Sequence, residues 1–204
     1  MNGTRLNSLS DGIFAIVMTI IVFEIKIPVL SVNPSNSDIW VALQNMAPLF
    51  LTYILSFTLL FTYWKAHNFF ISVYAKNIDT KLTNINILFF MLISLIPFST
   101  NLLGKFSKNE LAITIFGLHI IFIGLTLYWM RRYVLYSDHI KNPEISEREI
   151  HGSTIRTLVP VFFATIAIPL SFISTPLSLS LFTLAVVFNL SSYSTKLFEG
   201  FFRN

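Results

Sequence analysis

The sequence predicts an all-α polytopic membrane protein with six transmembrane helices per chain. Three observations carry that expectation. Of 204 residues, 54% are hydrophobic and only 12% are charged, about half the roughly 25% charged fraction of soluble domains. Uncharged runs recur at lengths that suit a bilayer, which takes about 20 residues of helix per crossing. The last of them, Thr157 to Thr195, spans 39 residues without a charge and so must cross twice.

Taken in order, the first segment is read as residues 8–27, with no charge between Asp11 and Glu24. The second is 40–64, inside a stretch uncharged from Ile39 to Trp64, and the third is the uncharged run 82–104. The fourth, 111–130, ends at Arg131-Arg132. The long terminal run divides at Ser174-Thr175-Pro176, because proline lacks an N–H and disfavours helix in the residue before it. That gives a fifth helix at 157–173 and a sixth at 177–195, preceded by a polar linker at 137–156. All 204 residues form a single transmembrane domain in this reading.

Lysine and arginine set the orientation. Eleven of the 14 lie at the N-terminus, in the 2–3 and 4–5 loops with their flanks, and at the C-terminus. Lys26, Lys105 and Lys108 occupy the 1–2 and 3–4 loops. This bias puts both termini and the 137–156 linker in the cytoplasm, and makes the chain a multi-pass protein of the cell membrane. The net charge of +4 is scattered over loops, which favours topogenic charges over a nucleic-acid surface. The first segment is read as a retained helix, since Glu24-Ile25-Lys26-Ile27-Pro28 offers no small-residue cleavage site. The absence of cysteine excludes disulfides and thiolate metal sites.

The first segment is sorted by face. At 100° per residue, Leu9, Gly12, Ile16, Ile20, Phe23 and Ile27 fall within about 40° of Ile16, and Asp11 lies about 140° away. Ile16, Ile20 and Phe23 are ordinary packing residues on this pattern alone. Thr19, about 60° off the stripe, suits a hydroxyl bonded back to its own helix. Asp11 or Ser10 suits a helix cap.

Here the sequence resembles the transmembrane protein 175 family of potassium channels. Arg5-x-x-x-Leu9-Ser10-Asp11 is similar to that family's first-helix signature, with Leu9 in place of the usual Phe, and Thr19 stands eight residues after the Asp. Further matches are Trp64 and His67 in the second segment, and Asn86-Ile87-Leu88-Phe89 and Ser94-Leu95-Ile96-Pro97-Phe98 in the third. The resemblance is specific over the first half of the chain. It implies a homotetramer in the bilayer, with the first helix of each subunit lining a central pore. Ile16, Thr19, Ile20 and Phe23 would form a hydrophobic constriction, about 10 Å long from Ile16 to Phe23, that conducts when wetted. Permeant potassium ions near Ile16 and Thr19 are the only ligand implied, with no cofactor, fixed metal or soluble partner. No Thr-Val-Gly-Tyr-Gly loop occurs, so selectivity for potassium over sodium should be modest.

The same topology brings polar residues of three segments to one depth. Arg5, Ser10 and Asp11 of the first, Trp64 and His67 of the second and Asn86 of the third are expected to form a structural polar network. His119 has no second ligand three or four residues away, so it suits a buried hydrogen-bond partner. Glu24 and Lys26 are either snorkelling interfacial residues or charges acting on cations at the outer mouth. No nucleophile elbow, phosphate loop or metalloprotease motif appears, so an enzyme is not expected. The rival class is a secondary transporter or proton-coupled carrier. Against it stand the lack of an inverted repeat and of paired broken helices. A structural protein without flux is the third class.

Overall fold

The computed structural model describes the backbone of residues 3–143 and 147–190, with the side chains of 147–156 and 189–190 left aside. Part of the expected linker and the end of the sixth expected segment, at 191–195, therefore lie outside the described residues. Among the described residues every regular element is helical, apart from one isolated bridge between Ala75 and Lys141.

Helix α1 spans Gly3–Ile20 and tightens into a 3-10 turn at Ile21–Glu24. It thus starts before residue 8 and ends before Ile27. Ile25, Ile27 and Pro28 explain the stop: two β-branched residues lead into a proline, which disfavours helix in the residue before it. Ile25 has already left helical geometry at φ −85, ψ 88, so Ile27 lies beyond the stripe.

The stretch 40–64 is divided. Helix α2, Asn36–Asn45, opens on a capping box between Ser35 and Asp38. Helix α3, Ala47–Phe69, continues as a π turn over Phe70–Tyr74. Pro48 sits in the first turn of α3, where no helical N–H is needed, and so marks a new start. Pro97 acts alike in the third stretch, which breaks at Leu95 between α4, Thr80–Ser94, and α5, Ile96–Lys105. Helix α6 runs unbroken over Glu110–Leu135, with Asn109 accepting from two first-turn amides. Helix α7, Glu147–Ser171, contains Pro160 and Pro169, and α8, Thr175–Leu190, returns after a short turn.

Among the described residues four helical stretches are long and apolar enough to span a membrane: Gly3–Glu24, Ala47–Tyr74, Thr80–Lys105 and Glu110–Leu135. Thr157–Ser171 and Thr175–Phe188 are shorter apolar helices. The chain is an all-α polytopic membrane protein. Helix α1 packs on α3 and α4, α3 on α5, and α6 on α4 and α7, with α8 beside α7.

Glycine permits the closest of these approaches. A Cβ on Gly124 would stand 2.3 Å from Val161 Cγ2 and 3.8 Å from the Thr157 carbonyl oxygen. At Gly117 it would meet Ile168 Cγ1 at 2.8 Å. Helix α6 therefore touches α7 almost backbone to side chain, as small residues allow between membrane helices.

A polar clasp joins the polar end of α4 to that of α6. Asp79 caps α4 by accepting from the Leu82 amide at 2.7 Å. It also accepts from the Tyr133 hydroxyl, and from His139 Nε2 at 3.2 Å. Partial burial pushes the Asp79 carboxyl up, but the Tyr133, Leu82 and His139 donors outweigh it and hold the carboxyl below its ordinary value.

Gly124→Ala should lower the thermal unfolding midpoint in detergent, by about 1–3 kcal/mol of overpacking. Adding Val161→Ala should restore most of it, and a double variant no better than the single one would refute the contact. The Asp79 contribution is complete above about pH 4, the ordinary carboxylate value, and fades as pH falls through the lowered folded-state value. Wild type should therefore lose more thermal stability than Asp79→Asn between pH 5 and 3. Parallel losses would contradict the clasp.

Candidate functional site

Helix α1 presents two unlike faces to its surroundings. Leu6, Ser10, Phe14 and Val17 are buried on the side of α1 that packs on α3 and α4, and Ile21, in the 3-10 turn packed on α3 and α5, is fully covered. Opposite them, Leu9, Ile16, Ile20 and Phe23 are uncovered, Ile16 at 58% exposure and Phe23 at 72%. The stripe read from periodicity is thus the face that the chain itself leaves open. Thr19 is also exposed, and its hydroxyl donates to the carbonyls of Ala15 at 2.9 Å and Ile16 at 2.8 Å. That uses the hydroxyl proton and leaves the oxygen lone pairs facing away from the backbone.

The buried face holds a polar chain. Ser10 Oγ lies 3.1 Å from His67 Nδ1, and His67 Nε2 lies 2.6 Å from Asn86 Oδ1. Asn86 donates its Nδ2 to the Leu82 carbonyl at 2.8 Å, one turn earlier in α4, which turns Oδ1 toward the histidine. Nε2–H is then the donor to Asn86, and in the neutral ring Nδ1 accepts from the Ser10 hydroxyl. All three side chains are buried. The imidazole lies parallel to the Phe89 ring, 5.2 Å between centroids, with Phe90 tilted against it. These aromatic walls exclude competing partners, so the bonds work in a low-dielectric setting.

Asp11 makes a second link. Its Oδ1 accepts from the indole N–H of Trp64 at 2.8 Å, joining α1 to α3 one step outside the buried chain. Arg5 is not part of this arrangement. It is exposed and takes part in no ion pair among the described residues. The reason is angular: Arg5 lies about 20° from Ile16 and about 120° from Asp11 on the helix, so it belongs to the open face.

At the far end, Asn101 Nδ2 donates to Glu24 Oε2, joining the last turn of α1 to α5. A cleft of about 460 Å³ runs beside the stripe here, lined by Ile16 and Ile20 of α1, by Glu24 of the 3-10 turn that follows it, and by Ser94, Phe98 and Asn101. Sequence reading noted Glu24 but missed Asn101, Asp79 and Tyr133. Asp79 carried a legible sign, an acid just ahead of an apolar helix. Asn101 carried none, since its partner is 77 residues away. His119 bridges helices, with Nδ1 2.8 Å from Ser99 Oγ and Nε2 2.9 Å from the Leu92 carbonyl. Among the described residues no cluster of His, Cys, Asp and Glu is able to hold a metal ion.

Comparison with known proteins adds to this geometry. Residues 5–97 match the model of the endosomal/lysosomal potassium channel TMEM175 family. A potassium channel of Chryseobacterium sp. (strain P1-3) is 31% identical over 175 residues, covering 84% of each chain. One of Streptomyces collinus is 24% identical, over 86% of this chain and 85% of its own. The crystal structure of a lysosomal potassium-selective channel TMEM175 homologue from Chamaesiphon minutus superposes with a TM-score of 0.79. It covers 92% of this chain and 95% of that one at 24% identity.

Asn86→Leu should lower the free energy of unfolding by about 1–3 kcal/mol, read as a lower unfolding midpoint, because it leaves the buried His67 Nε2–H without an acceptor. Ser10→Ala should cost less. Wild-type stability in Asn86→Leu would show that the histidine does not depend on this bond.

Proposed function

The chain belongs to the endosomal/lysosomal potassium channel TMEM175 family, and from that premise we propose that it is a potassium-permeable ion channel. Four copies surround a common axis in the cell membrane, each contributing α1 to the pore wall, with both termini in the cytoplasm. The observation that supports this best is the open apolar face of α1, Leu9, Ile16, Ile20 and Phe23, on a helix whose other face is fastened into its own protomer. The open face supplies a wall without disturbing the fold, and the buried polar chain fixes its direction.

Rings of Ile16, Ile20 and Phe23 make a constriction through which ions pass only when it wets. A dry apolar constriction opposes an ion by the cost of removing its hydration shell. Thr19, with its proton given to the helix backbone, offers oxygen acceptors within the same stretch and favours cations over anions. Without a ring of backbone carbonyls, discrimination between potassium and sodium stays modest. Ser10, Asp11, Trp64, His67 and Asn86 act from behind the wall, holding its angle.

Purified protein in potassium-loaded liposomes is the direct test. A channel gives rapid flux that a potassium diffusion potential arrests, whereas a carrier gives slow, saturable exchange. Ile16→Asn should raise basal potassium current by placing amide groups where water otherwise retreats. Unchanged current would remove Ile16 from the pore wall.

A further inference from the structure

We infer that Glu24, positioned by Asn101, is a cation-attracting site at the end of the conduction path opposite the buried polar chain. It draws hydrated monovalent cations to the apolar constriction, and it rests on the reading of α1 as the pore wall.

Glu24 is out of place as a helix-stabilising residue. It closes the 3-10 turn that continues α1, where the C-terminal end of the helix already presents negative partial charge and a cation would be favoured. A carboxylate there adds to the negative potential instead of cancelling it. The group that holds it is equally telling. Asn101 grips Oε2 with an amide N–H, and among the described residues no ion pair neutralises the carboxylate. An amide orients the carboxylate and leaves its charge intact, which a lysine or arginine at the same position would not. Among the described residues Oε1 accepts no further hydrogen bond, so the carboxylate keeps acceptor capacity toward the cleft.

Location supplies the rest. Glu24 shares its cleft with Ile16 and Ile20 and with the Ser94 and Phe98 side chains. The side chain is half-buried, and low-dielectric walls on two sides focus its field along the cleft. Lys26, Lys105 and Lys108 are also at this end, but all three are exposed and outside the cleft lining. A negative site just outside an apolar constriction raises the local concentration of the ion that must enter.

The test is Glu24→Gln, which keeps an oxygen for Asn101 to bond and removes only the charge. Potassium currents are compared in symmetric solutions of about 0.01 M and about 1 M, where the Debye lengths are roughly 30 Å and 3 Å. The expected result is roughly three- to tenfold lower current than wild type in the dilute solution and near-equality in the concentrated one. Glu24→Asp, which keeps the charge, should retain most of the dilute-solution current. Equal currents for Glu24→Gln and wild type at both concentrations would overturn the inference while leaving the channel reading standing. So would an equal fractional loss at both, which marks a structural role, or a loss in Glu24→Asp as deep as in Glu24→Gln. Absence of potassium current in wild type itself would bring down the channel reading instead.

Discussion

The bond between His67 and Asn86, with Ser10 on the other ring nitrogen, is the constraint on which the rest of the molecule depends. A bilayer supplies no water to a polar side chain that turns the wrong way, so its partners must come from the protein. Ser10, His67 and Asn86 satisfy one another across three helices, and Asn86 closes the series on its own backbone. Rolling α1 by a third of a turn would break the first bond and carry Ser10 toward an apolar surround. Apolar packing between lipid-solvated helices carries no such angular preference, because lipid tails are as apolar as leucine. The polar chain therefore specifies the roll of α1, and the packing of Phe14 and Ile21 follows from it.

With the roll of α1 fixed, the α4–α5 pair completes the support. Asn86 in α4 meets α1 through His67, and Asn101 in α5 meets it through Glu24. The two asparagines are 15 positions apart, and Ser10 and Glu24 are 14 apart, so the two rows run side by side over the same length. Between these anchors lies the cleft beside Ile16 and Ile20. The break at Leu95 falls within that interval. Pro97 cannot donate to the helix ladder, and the interruption gives α5 a direction of its own while α4 stays aligned with His67. A helix held at both ends and bordered by a cleft in the middle has its open face fixed without being covered.

Much of this was legible in the sequence because the membrane imposes long apolar runs and because one helix face is periodic. The stripe of Leu9, Ile16, Ile20 and Phe23 followed from a 3.6-residue repeat, and it is the uncovered face of α1. The grouping of Ser10, His67 and Asn86 followed from the family resemblance, which picked the residues out, together with their common depth. Arg5 did not join them, since depth says nothing about angle, and its angle places it with Ile16. The division at Met46 and Leu95 was hidden because an uncharged run looks continuous, whereas proline sets where hydrogen bonding restarts. The early end of α1 had the same cause in Pro28. Asn101 was unreadable in principle: a single amide in an apolar helix has no periodic partner, and its meeting with Glu24 depends on tertiary geometry.

The open face of α1 would mean little if it were only apolar, because lipid covers such a face at no cost. Its flanking residues argue otherwise. Arg5 stands on that face at one end, Glu24 borders it at the other, and the Thr19 oxygen lies between them. Lipid disfavours all three groups, and a face meant for acyl chains would exclude them from its edges. A conduit with wet mouths and a dry middle accommodates each: charges where water is present, branched and aromatic side chains where it retreats, one hydroxyl oxygen within the narrow stretch. Arg5 and Glu24, the two charged groups that border this face, also differ in sign. If α1 lines a pore as proposed, Glu24 lowers the energy of a cation at one end of it and Arg5 raises it at the other. In the proposed conduit such an asymmetry leaves net flux at zero without a driving force and makes the currents in the two directions unequal under one, most where salt is dilute and the fields of the two side chains reach furthest.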